Sequence, residues 1–172
     1  MEHLERYGIG IDAAKRKGDT MDSDLAEAVA KLKDIFTRRN IPTRFGKAQP
    51  AVVDELRNAL RIPARYRAFL QAADPVDVET VTSVERVRFI PADRLIAEQV
   101  IGEEGWQKNW VVIARSAVRG DPYFLDISKL DAEGDCPVFS VTMGAHSYKP
   151  ELYASSFEQF LRLLATNMEA AA

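Results

Sequence analysis

Trp110-Val-Val-Ile-Ala114, Gly120-Asp-Pro-Tyr-Phe-Leu-Asp126, Pro137-Val-Phe-Ser140 and Ala154-Ser-Ser-Phe-Glu-Gln-Phe-Leu161 follow one another in the last third of the chain, and their reading decides the fold. The first three are short apolar or aromatic runs bounded by Gly, Pro and Asp, the pattern of strands joined by turns. The fourth opens a helix. Ser155 stands three residues before Glu158, a spacing at which hydroxyl and carboxylate can satisfy each other's free backbone N–H groups. Phe157, Phe160, Leu161 and Leu164 then share one face.

Upstream of these stretches the hydrophobic period changes twice. Leu25, Val29, Leu32 and Phe36 recur at helical spacing, with Glu27/Lys31 and Asp34/Arg38 pairs on the opposite side and a weak capping signal at Asp24. Pro50 suits a first helical turn, after which Val53, Leu56 and Leu60 form one stripe until Ile62-Pro63 interrupts it. A second short helix carries Tyr66, Phe69, Leu70 and Ala73 and ends at Asp74-Pro75. From Val78 the alternation is that of strands, with a hairpin turning near Ser83 to Glu85. Helices come first, strands cluster in the middle and one helix closes the chain. This order predicts an α+β fold with a mainly antiparallel central sheet covered by helices. Residues 1–20, with three glycines and a basic triplet Lys15-Arg-Lys17 but no sustained period, read as a loosely ordered arm, and residues 21–172 as a single domain.

Composition narrows the function classes. A chain of 172 residues with 47% hydrophobic and 28% charged residues is large enough to bury a core without disulfide or metal staples. Cys136 is its only cysteine, so no internal disulfide can form. No run approaches the ~18 apolar residues of a spanning helix, and Met1 to Arg6 lacks the apolar stretch of a signal peptide. A cytoplasmic protein with no membrane association is expected. The net charge of −3 divides unevenly: residues 1–73 sum to +4 and residues 74–172 to −7. An acidic surface repels polyanions and attracts basic proteins, so a basic protein partner is expected and direct nucleic-acid binding is not.

The helix Ile62-Pro-Ala-Arg-Tyr-Arg-Ala-Phe-Leu70, the strand from Trp110, the Gly120-Asp121 turn with Tyr123 to Asp126, the strand from Pro137 and the closing Ser-Phe-Glu-Gln-Phe-Leu helix occur in an order that resembles the SUKH superfamily, over roughly residues 50–165. This is a widespread domain of bacterial toxin-immunity proteins that also includes a fungal cell-wall regulator. The resemblance implies a compact sheet covered by helices, no catalysis, and neutralisation of a toxin, often a nuclease or deaminase, by occlusion. The sequence departs from the pattern where Ala72-Ala-Asp-Pro75 replaces the usual Asn-Gly after the Tyr/Phe/Leu helix, and Gly102 to Asn109 has no counterpart that aligns.

No catalytic constellation emerges, and no cofactor or metal is expected. Two histidines and one cysteine leave too few soft ligands for structural zinc, and His146 lies ten residues from Cys136 across a strand and a loop. Asp131-Ala-Glu-Gly-Asp135 lacks the full loop of a calcium site and reads as a solvated hairpin connection. Arg61, Arg65 and Arg67 read as a solvated helix face, with no Gly-rich phosphate loop beside them. Gly120-Asp121 is read first as a tight turn. The expected partner contacts are the loop residues Glu103, Glu104, Trp106, Asp121, Asp131, Glu133, Asp135, His146 and Tyr148. Trp106 has two readings: an interface anchor ringed by charge, or a side chain packed back over the sheet. Two other functions stay open: an intracellular regulatory scaffold using the same domain, with Leu25 to Phe36 and the basic arm recruiting partners, and a small-molecule or hydrolytic site around Tyr123, His146 and Cys136.

Overall fold

The computed structural model describes residues 19–144 and 147–171. In chain order these form helix α1 (Ser23–Arg38), strand β1 (Arg44–Gly46), helices α2 (Pro50–Leu60) and α3 (Ala64–Ala73), and strands β2 (Asp74–Asp77), β3 (Glu79–Val81), β4 (Arg86–Phe89), β5 (Trp110–Ser116), β6 (Pro122–Asp126), β7 (Val138–Ser140) and β8 (Glu151–Ala154), closed by helix α4 (Phe157–Ala170). Strands β3 to β8 make one antiparallel meander in sequence order, and β1 pairs with β2 in a small separate sheet. The α+β class is as the hydrophobic pattern requires. The expected N-terminal arm, residues 1–20, falls almost wholly outside the described residues. Among these, no helix is long and apolar enough to cross a membrane.

The period-2 pattern sorts the sheet into two faces. Phe160 of α4 packs against Phe89, Tyr123 and Tyr153 on one face, with ring centroids 5.8, 5.8 and 5.5 Å away. Phe124 points to the other face, where Trp110 and Phe139 lie beside it at 4.8 and 6.0 Å. The alternation is not perfect: β5 bulges between Val112 and Ala114. There the Gln99 side chain substitutes for a neighbouring strand, donating to Val112 O at 2.9 Å and accepting from Val112 N at 2.8 Å.

The closing helix starts one residue later than the sequence suggests. Ser156, not Ser155, is its N-cap and accepts from Gln159 N at 3.0 Å. In α1 the cap is Asp22, which accepts from Leu25 N at 2.9 Å, and Asp24 instead lies inside the first turn. Leu25, Ala28, Val29, Leu32, Ile35 and Phe36 are all buried, largely against α4. That stripe is intramolecular core, so the part of the scaffold reading that has Leu25 to Phe36 recruit a partner is corrected, and the basic arm it also used lies outside the described residues. Two elements carried no sequence signal. The β1–β2 pair is too short for a period, and β8 reads Glu-Leu-Tyr-Ala, only Ala154 of which is buried.

Candidate protein-interaction surface

The eight described residues among those expected to contact a partner fall in three different places. The first is a patch on the Phe124 face of the sheet. Loop residues 102–109 leave the Gln99 anchor and fold back, so that Trp106 stands nearly perpendicular to Trp110, Phe124 and Tyr148 at 5.2, 5.1 and 5.8 Å. Edge-to-face geometry places the positive ring edge on a neighbour's π-face and adds to the burial of these large rings. The Tyr148 hydroxyl donates to the Glu103 carboxylate, and this bond first, then burial, pushes the phenol above its ordinary range. Gly105 adopts φ +87°, and a Cβ there would approach Tyr148 to 3.3 Å, so both the backbone and the close approach call for glycine. Trp106 thus packs back over the sheet yet stays half-buried, and Glu103 and Glu104 in the same loop are exposed. Leu152, 62% exposed, lies opposite Phe139 in the β7–β8 register and extends this patch.

The second place is the β5–β6 turn. Gly120 takes φ +76°, which lets Gly120 N donate to Ser116 O at 2.8 Å. Asp121 is buried, accepts from Met143 N at 3.0 Å and pairs with Arg119 at 3.2 Å. Its carboxylate thus fixes the turn to the β7–β8 connection, as the structural reading of this residue holds. The adjoining cleft, about 410 Å³ in volume, is lined by Tyr123 but not by Cys136. Cys136 is 1% exposed, and burial first, then the charges of Asp135, Asp126 and Asp131, push its thiol far above the ordinary range. A thiol so held is not the thiolate that nucleophilic chemistry uses, which corrects the pairing of Cys136 with Tyr123 in one site. His146 lies outside the described residues. Among these, no group of three His, Cys, Asp or Glu residues is placed to hold a metal ion.

The third place differs most from the sequence reading. Asp131 caps its own loop, accepting at 2.9 Å from Glu133 N and from Asp135 N. Asp135 is fully buried. It accepts from Cys136 N at 2.7 Å, Phe157 N at 2.8 Å, Glu158 N at 3.3 Å and Arg65 Nη1 at 3.2 Å. Its carboxylate is used within the fold and is withdrawn from any partner, whereas Asp131 and Glu133 remain exposed. Arg65 is correspondingly not on a solvated face: it is 7% exposed and makes a two-pronged contact with Asp22, at 2.7 and 2.8 Å. The cause is the close approach of α3 to the β6–β7 connection. Arg65 N donates to Gly134 O at 3.2 Å, and a Cβ on Gly134, which has φ +76°, would come within 3.2 Å of Ala64 Cβ. Nothing local in the sequence marks this network, because Arg65 lies 43 residues from Asp22 and 70 from Asp135.

The central sheet, α2, α3 and the first half of α4 together fall within residues 47–163, which match the SMI1 / KNR4 family (SUKH-1). The chain belongs to this family. No curated protein matches it. The SUKH-1 match begins after α1 and takes in the loop carrying Trp106. The family includes toxin-immunity proteins, its members are generally non-catalytic, and they act by binding protein partners.

Proposed function

We propose that this SUKH-1 protein is a non-catalytic, cytoplasmic immunity protein. It binds a basic bacterial toxin domain, of the nuclease or deaminase class, and neutralises it by occlusion, without contacting nucleic acid itself. The observation that carries the reading is the convergence of Glu103, Trp106 and Tyr148, from segments 45 residues apart, into one aromatic patch edged by Glu103 and Glu104. An aromatic anchor with carboxylates at its rim is the arrangement that binds through burial and selects a basic partner through charge. Asp131 and Glu133 add negative charge from a second loop. Glu103→Lys with Glu104→Lys tests the reading against a basic toxin domain that the native protein binds. Rim charge acts on encounter, so association slows at low salt, and the difference closes as the salt is raised. An association rate equal to that of the native protein at every salt concentration overturns the electrostatic role.

A further inference from the structure

The cleft beside Asp121 lies on the same sheet face as α4 and has a composition that the aromatic patch lacks. Its walls include Tyr123 and Tyr153, perpendicular at 5.2 Å, together with Ser116 and Ser140, and its charged rim carries Glu85 and Glu151. Tyr123 is 4% exposed, yet its hydroxyl makes no hydrogen bond among the described residues. The hydroxyl is not among the buried polar atoms left without a partner, so it opens into the cleft and offers a donor and an acceptor to a group that enters.

Charge points to the class of ligand. Of the cations that line the cleft among the described residues, Arg119 is held by Asp121 at 3.2 Å, and Lys149 is exposed. Glu85 and Glu151 make no ion pair among the described residues. Burial pushes the Glu85 carboxyl above its ordinary range, with Arg119 opposing, and the charge of Glu85 in turn adds to the effect of burial on the Tyr153 phenol. A partly desolvated carboxylate beside tyrosine rings is stabilised by an incoming cation. A planar cation serves better than a compact one, because it can lie on a tyrosine face while its fork of N–H donors reaches carboxylate and hydroxyl oxygens.

We propose that the cleft formed by Glu85, Tyr123, Tyr153 and Glu151 receives an arginine side chain of the protein partner. The inference deepens the proposed function and rests on it only for the identity of the partner. The test therefore uses the full chain without any toxin. N-acetyl-arginine methylamide is titrated into the isotopically labelled protein and followed by amide chemical shifts, with the lysine analogue and the neutral citrulline analogue as controls. Saturable shifts centred on Glu85, Ser116, Tyr123, Ser140 and Tyr153 are expected with the arginine compound alone. Glu85→Gln with Glu151→Gln should weaken them by roughly tenfold, the scale of one charge-assisted hydrogen bond. Tyr123→Phe removes a hydroxyl with no internal bond to lose, so it leaves the fold intact and should weaken binding by a smaller factor. Absence of saturable cleft shifts, or equal shifts with the lysine or citrulline analogue, overturns the proposal. Failure of the toxin to bind, with arginine binding intact, refutes only the choice of partner.

Discussion

Asp135→Ala tests whether the buried carboxylate is the junction of the fold. In the native protein it accepts the N–H groups of Phe157 and Glu158 at the start of α4, that of Cys136 in the loop, and Nη1 of Arg65 from α3. Removing it leaves the buried Phe157 and Cys136 N–H groups without an acceptor and takes one carboxylate from Arg65. Breaking a buried charge pair from one side costs roughly 3–5 kcal/mol. Because Arg65 keeps its two-pronged contact with the half-exposed Asp22, a loss of about 3–4 kcal/mol is expected. Asp135→Asn retains one carbonyl oxygen able to serve Cys136 and Phe157, and gives up the charge. Its loss should be about 1–3 kcal/mol, the range for hydrogen bonds to charged groups. Urea denaturation followed by circular dichroism measures both. With a slope of about 2 kcal/mol/M, Asp135→Ala lowers the midpoint by about 1.5–2 M at unchanged slope. Losses below about 1 kcal/mol for both variants, the value of an exposed pair, would refute the assignment.

Further outcomes follow from the same geometry. The Arg65 guanidinium beside it holds the Asp22 carboxyl below its usual 3.8. A depressed folded value means that the contribution is complete above 3.8 and is lost as the pH falls below it. The stability difference between the native protein and Asp22→Asn should therefore be constant at neutral pH and shrink below about pH 4. A gap that persists unchanged to pH 2 contradicts the ion-pair account. Cys136 should resist alkylation at pH 8 in the native protein and react within minutes in denaturant, as read by mass spectrometry. Rapid native labelling would mean that the loop opens. Trp106→Ala should weaken toxin binding by at least about 2 kcal/mol if Trp106 anchors the interface, and Tyr148→Phe, which removes the bond to Glu103 but keeps the ring, should cost less. The reverse order would place the recognition energy in the hydroxyl.

The sequence makes the regular elements legible where their residues alternate or repeat over several turns. The Val87/Phe89 alternation, the α1 stripe and the α4 aromatics each bury the side chains their spacing points inwards. Legibility stops where one residue's environment is built by another part of the chain. Arg65 has the same local context as Arg67, and helical phase alone does not say that a glycine-containing loop will cover it. The cap of α4 shows the limit within four residues. Ser155 and Ser156 are both competent, and the choice between them accompanies the arrival of Asp135, which takes the two N–H groups nearest the helix start. At the candidate interface, residue type and loop placement single out Glu103, Trp106 and Tyr148. That they meet is a consequence of the sheet face beneath them, which no local pattern records.

The same contrast bears on what the acidic half of the chain can do. Its net charge of −7 suggests a uniformly attractive surface, but several of its carboxylates are spent internally. Asp121, Asp126 and Asp135 are buried and hold backbone N–H groups, Asp126 next to itself in the chain and Asp121 and Asp135 across to the β7–β8 connection and the start of α4. Glu79 pairs with Arg86 and Arg88, and Glu98 with Arg94. Charge left to steer a partner includes Glu103 and Glu104 beside Trp106, the exposed Asp131 and the cleft rim, whereas Glu133 faces Arg65 at 3.5 Å. Steering depends on where unneutralised charge sits rather than on the sum. An encounter guided from these separate loops favours a basic partner broad enough to touch more than one of them, which is the geometry occlusion of an active site requires. The loops are tied to the sheet by buried contacts while their outer residues make few commitments to the fold. Substitutions at Glu104 can therefore alter the choice of partner at little cost in stability, which is the freedom an interaction surface needs to stay matched to one partner.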